Sequence, residues 1–370
     1  MTHTQANAEL IDVYRLMTLL NEMYRSGQKE FVLFVPYLKE PFFSVRLIPE
    51  AHDGKKSVVG ILVRFQEYRQ RISQGRSGGV AREIPDYNTL QILLVQSGIV
   101  EYPNFTDFLA LLHEMCQRDF HKGDRPVFMG LDTNLFRDLF YSAHFHTLDR
   151  IPHNKIGFSV SPNVKDELSF DKRKYKNRDL KTLSDLCVDS QFRYVVEDFF
   201  NQSCLYDRLC RLGWVELEKA KLIHWIELLP ELDERELEKS PDLNIIKTYK
   251  FAAAERNVDI LLLSRDDGFI GHAQGIPGIV TFQIETPVFT GSTYRVAKWR
   301  HICQLIYLSA VVCGAVRLQG ARDAFLFQGI WKGKKSSDWN RERIKIAALS
   351  QSSKVFVQCQ KAWRVLDAMG

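Results

Sequence analysis

Apolar positions near the start of the chain recur at the spacing of one helix face. Leu10, Val13, Tyr14, Met17, Leu20 and Tyr24 fall on a single stripe, and Gly27 is placed to end it. Strand-like runs follow at Phe31–Val35, Phe42–Ile48 and Val58–Val63, divided by Pro36, Pro41 and the Asp53-Gly54 turn. The glycines of Ser73–Gly79 do not make a G-x-G-x-x-G cradle, so this stretch reads as a loop. Helical stretches near Asn88–Ser97 and Asn104–Cys116 complete an N-terminal α+β unit over residues 1–122.

A boundary near His121–Arg125 precedes a different pattern, apolar strands that end in polar turns. The run from Pro126 ends in Asp132-Thr133-Asn134 and leads into a helix at Leu135–Tyr141. A second run from Lys155 ends at Ser161-Pro162, where proline suits a first helical turn and Glu167 falls on the helix that follows. Helices are expected around Arg193–Trp214 and Glu216–Glu238. Ser240-Pro241-Asp242 then opens a helix through Arg256, and the continuous apolar run Ile260–Leu263 leads to Ser264-Arg265-Asp266-Asp267. Such a run suits a parallel strand covered on both faces. In a right-handed βαβ layout, strand C-termini and helix N-termini share one edge of the sheet, so Asp132, Glu167, Asp242 and Asp266 can converge there. Each has a plainer reading as well: Asp132 or Asn134 can cap the next helix, and Glu167 can complement a helix dipole.

Composition narrows the class. The 370 residues are 45% hydrophobic, 12% aromatic and 26% charged, enough apolar material for two or three cores and too much for a disordered chain. Seven cysteines, an odd number with no C-x-x-C pair, point to a reducing compartment rather than a zinc ribbon. The start of the chain does not resemble a secretory signal, and the apolar run Ile302–Val316 is too short to span a bilayer. The expectation is a soluble, cytoplasmic protein. Its net charge of +5 is unevenly spread: residues 291–370 carry 14 Lys and Arg against 4 Asp and Glu, whereas residues 126–290 carry 21 against 26. An acidic centre beside a basic tail fits a carboxylate-rich site that must hold a polyanion, or an ordinary solvated surface.

The joint order of Asp132-Thr133-Asn134, Ser161-Pro162-Asn163-Val164 with Glu167-Leu168, Asp242, and Ser264-Arg265-Asp266 resembles the PIN-domain nucleases. The resemblance covers roughly Pro126 to Phe282. It implies a central PIN-like three-layer α/β/α domain with a mainly parallel sheet over residues 123–290, flanked by the N-terminal unit and a basic C-terminal α+β unit over residues 291–370. It also implies a metal-dependent phosphodiesterase, usually an endoribonuclease, with Asp132, Glu167, Asp242 and Asp266 as metal ligands. RNA processing and restriction of foreign nucleic acid both fit. Two departures from the family pattern leave choices open. The long gap before Asp242 makes Asp233 and Glu234 competitors, and Asp267 can replace Asp266 as a ligand.

Residue chemistry agrees with that reading. Mg²⁺ or Mn²⁺ prefers carboxylate oxygen, and Asn134 and Ser264 would orient carboxylates by hydrogen bonds. Clustered acids repel, so a bound ion should raise the melting temperature. Lys172, Arg173, Lys174, Lys176 and Arg178 would grip a phosphate backbone, with Tyr175 stacking on a base. Lys332, Lys334 and Lys335 lie between Trp331 and Trp339, which fit either nucleic-acid contact or a core. Gly333-Lys334 is not a phosphate-loop signature, because Gln328 stands where glycine is required. His144, His146 and His153 read as ordinary helix and loop histidines. The expected partner is RNA, single-stranded or structured, with single-stranded DNA second; a protein partner or a second copy is also compatible, and no membrane is expected. The alternatives are a single-stranded or flap-type DNA nuclease and a catalytically silent PIN-like scaffold that binds RNA.

Overall fold

A computed structural model describes residues 8–48, 57–61, 83–145, 156–223, 226–289, 293–350 and 353–369. The expected loop at Ser73–Gly79, the histidines His146 and His153 and the end of the Val58–Val63 run lie outside the described residues. In chain order the strands are β1 Glu9–Ile11, β2 Glu30–Phe34, β3 Phe43–Arg46, β4 Ser57–Ile61, β5 Val127–Leu131, β6 Ile156–Val160, β7 Ile226–Leu228, β8 Asp259–Ser264, β9 Ile279–Gln283, β10 Thr293–Ala297, β11 Ala315–Gly320, β12 Ala324–Gln328 and β13 Ile344–Ala348. Helices are named below by their residues.

The chain divides into two compact units, not the three that the sequence suggested. One comprises residues 1–100, 171–208 and 288–370; the other comprises 101–170 and 209–287. The terminal segments, expected as separate units, share one antiparallel sheet in the order β1-β13-β12-β11-β2-β3-β4-β10. The physical reason is strand completion: the segments pair residues more than three hundred positions apart, Ile11 lying opposite Ile344. Neither segment alone holds the whole sheet. The apolar run noted at Ile302–Val316 becomes the helix Trp299–Cys313, whose residues are almost all buried in this unit. Among the described residues, no helix is long and apolar enough to cross a membrane.

The second unit is α/β, built on a five-stranded parallel sheet in the order β7-β6-β5-β8-β9. Its first strand lies in the middle. From β5 the chain winds outward through β6 to β7, then crosses back to β8 on the other side, so the strand order reverses between β5 and β8. In open parallel sheets ligands sit at the carboxyl ends of the strands beside that reversal. The middle of strand β8 is continuously apolar because both its faces are covered, and Ile260 to Leu263 are at most 1% exposed. The region around Glu216–Glu238, expected as helix, departs from that expectation. The helix Leu205–Ile223 ends early, and Ile226–Leu228 becomes the edge strand β7. Three residues are too few to display a strand period, and Pro230 closes the run.

Candidate carboxylate site at the sheet edge

Register brings the first and the last of the four motifs together. Leu131 pairs with Leu263 across β5 and β8, and the Asp132 backbone N–H continues the ladder to the Leu263 carbonyl at 3.0 Å. Asp132 therefore stands beside Ser264 at the reversal point. Extended backbone at Asp132 makes it the cap of the short helix Thr133–Arg137, and its Oδ1 accepts from the Thr133 N–H at 2.6 Å. Its Oδ2 accepts from Ser264 Oγ at 2.6 Å and from Asn134 Nδ2 at 2.5 Å. Capping and site formation are thus not alternatives here, since one carboxylate oxygen serves each.

Ser264 and Asn134 also fix the turn after β8. Ser264 Oγ accepts from the Asp266 N–H at 2.9 Å and from Asn134 Nδ2 at 3.0 Å, while Asn134 Oδ1 accepts from the Arg265 N–H at 3.3 Å. Asp266 caps the helix Asp267–Ala273 through Phe269 N–H at 3.1 Å, and its side chain and that of Asp267 are exposed. Glu167 ends the helix Pro162–Glu167 half-buried, and Asp242 lies exposed in the first turn of Pro241–Arg256.

The Asp132 carboxyl is pushed up to about 6, first by burial and then by the charges of Glu167 and Asp242, against the lowering pull of Ser264 and Thr133. Both of those acids therefore share its electrostatic field. Asp242 is among the largest influences on Asp132. Asp233 and Glu234 lie exposed around the short turn Glu234–Glu236.

Among the described residues, no three His, Cys, Asp or Glu side chains form a group that would hold a metal ion as placed. The donor chemistry nevertheless suits a hard cation. Asp132 supplies a buried carboxylate burdened by two neighbouring negative charges, a burden that a cation relieves. The acids form a shared field rather than a closed cage.

Sequence reasoning missed two supports. Tyr249, fully buried on the helix Pro241–Arg256, donates toward the carbonyls of Leu131 (3.3 Å) and Ser159 (3.2 Å) and accepts from the Ser161 N–H at 3.4 Å, tying the ends of β5 and β6. A Cβ at Gly130 would come within 2.8 Å of its ring, so glycine is what admits it. Arg265 forms a buried ion pair with Asp138, which also accepts from Tyr102 Oη at 3.2 Å. Neither tyrosine stands in a motif; Gly130 inside an apolar strand was the available signal of close approach.

The basic segments need correcting. Tyr175 does not stack on a base: it is buried, packs on Phe199 and accepts from the wholly buried Arg208 at 2.8 Å. Lys172, Arg173, Lys174, Lys176 and Arg178 are exposed, but they belong to the unit with the antiparallel sheet, not to the unit that carries the carboxylates. Lys334 is engaged within the fold. It donates to the carbonyls of Gly329 and Arg343 at 2.6 and 3.2 Å and lies over Trp331 and Trp339, both of which are core. Lys332 and Lys335 are exposed. His144 packs among Tyr102, Phe105 and Phe140. Compared with known proteins, the chain matches no protein-family model, no curated protein and no solved structure.

Proposed function

We propose that the parallel-sheet unit is a PIN-like, three-layer nuclease domain and that the protein is a metal-dependent phosphodiesterase acting on RNA. One observation carries this reading: Asp132 and Ser264 meet at the strand reversal, with the charges of Glu167 and Asp242 bearing on the same carboxylate. Asp132, Glu167, Asp242 and Asp266 would hold Mg²⁺ or Mn²⁺. When bound, such an ion lowers the pKa of water and offsets the charge that develops on the phosphodiester. The chain's own part is orientation. Ser264 and Asn134 fix the Asp132 carboxylate, Ser264 also holds the Asp266 backbone, and Arg265 anchors the turn between them.

The test compares end-labelled single-stranded RNA and DNA of matched sequence with Mn²⁺, with Mg²⁺ and with a chelator. RNA is expected to be cut internally with either metal and left intact with chelator. DNA cut faster than RNA would move the substrate to single-stranded or flap DNA. RNA bound but never cut would leave a silent scaffold. The same exposed cations occur in either case, so cleavage and not binding decides.

A further inference from the structure

The segment that follows Phe170 forms a short two-stranded pairing of its own. The Arg173 carbonyl accepts from Cys204 N–H at 3.1 Å, Lys174 bridges Ser203, and Tyr175 exchanges hydrogen bonds with Gln202 (3.0 Å) and Asn201 (3.1 Å). Alternation in an extended segment sends neighbouring side chains to opposite sides. Tyr175 goes inward, onto Phe199 and Arg208, and leaves Lys174 and Lys176 on the solvent side. Lys172 and Arg178 extend that row of exposed cations.

The acids nearby offset only its two ends: exposed Asp171 precedes Lys172 and accepts from Ser203 Oγ at 2.9 Å, and Asp179 pairs with Arg178 at 3.8 Å, while Lys174 and Lys176 lie between them. Asp207 is buried and accepts from the Arg173 backbone N–H, Asp179 is buried and accepts from that of Lys176, and Glu83 is buried against Arg173 and the Leu205 N–H. Asp207 and Glu83 thus work on the inner side of the pairing. Two exposed aromatic residues adjoin the pairing along the chain. Phe200 precedes Asn201 at the Lys176 end and is 45% exposed; Tyr206 follows Cys204 at the Arg173 end and is 53% exposed. An exposed phenylalanine ring beside a row of lysines offers a hydrophobic, stackable face where charge alone would need none.

We propose that this face, formed by Lys172, Lys174, Lys176 and Arg178 with Phe200 and Tyr206, docks single-stranded nucleic acid. The lysines track the sugar–phosphate backbone and the two rings take unstacked bases, the combination that single strands use and that an acidic peptide does not. The proposal concerns binding and stands whether or not the carboxylates cut the strand.

Fluorescence anisotropy of a labelled single-stranded RNA with the full chain, in chelator and over a salt series, tests it. The triple variant Lys172→Gln/Lys174→Gln/Lys176→Gln is expected to lose at least about tenfold in affinity. The slope of log affinity against log salt should shrink by about 2, at roughly 0.7 per phosphate contact on a single strand. Phe200→Ala is expected to weaken binding by roughly 5- to 100-fold with the slope unchanged. Melting temperatures near wild type would show that the variants fold. Wild-type affinity in both variants overturns the proposal. So does a glutamate-rich peptide of equal charge binding as tightly, with no response to Phe200→Ala. Absence of cleavage alongside these losses would count against the nuclease reading alone.

Discussion

Arg265→Ala is expected to destabilise the protein by about 3–5 kcal/mol, because it leaves Asp138 as a buried charge without its partner. Asp138 is 2% exposed, and burial raises its carboxyl even with the Arg265 guanidinium beside it. What remains after truncation is the hydrogen bond from Tyr102 and the weaker pull of the Arg137 charge, which together satisfy only part of what the Arg265 pair supplies. Arg265→Ala/Asp138→Asn should therefore recover much of the loss, since an amide still accepts from Tyr102 and carries no charge to strand. Urea unfolding of the two variants measures this. Equal losses in both would show that the pair acts through packing rather than charge. The effect should also reach the site, because Arg265 lies between Ser264 and Asp266, and its backbone N–H is held by Asn134. A loosened turn is expected to lower cleavage in Arg265→Ala even at temperatures where the fold persists.

Asp132→Asn should separate activity from stability. If the carboxylate cluster performs the chemistry, removing its buried member is expected to lower cleavage at least about 100-fold. In metal-free buffer the same change should stabilise the fold above pH 6. The folded carboxyl titrates near 6 against 3.8 for an unperturbed group, so between about pH 4 and 6 the native state binds more protons than the unfolded one. Stability therefore falls as pH rises through that window, by about 3 kcal/mol in total. Asparagine does not titrate, so the variant should lack this fall and melt higher than wild type at pH 7.5. A variant that melts lower, with the pH dependence intact, would mean that Asp132 is an ordinary cap.

The α/β class of the second unit was legible because its central strands are buried on both faces and appear as unbroken apolar runs. Val127–Leu131 and Ile260–Leu263 announce themselves this way, and their polar successors Asp132 and Ser264 then fall at the strand ends. The assembly of the first unit was not legible. Pairing of β1 with β13 depends on contacts between the chain's two ends, and no local pattern encodes such a partner. Strand β7 was too short to show a period. Tyr175 was misread because a single aromatic among cations carries no face information; only its pairing with the Gln202 segment fixes which side is inward. Tyr249 lay hidden for another reason: its role depends on reaching two strand ends from a helix more than a hundred residues after β5.

Asp132 and its neighbours are proposed to hold a divalent cation, and a calorimetric titration of Mn²⁺ into the metal-free full chain is the test. Wild type is expected to bind saturably with a rise in melting temperature, and Asp132→Asn is expected to lose that binding. No binding by the folded wild type, or binding of equal strength in the variant, would contradict it.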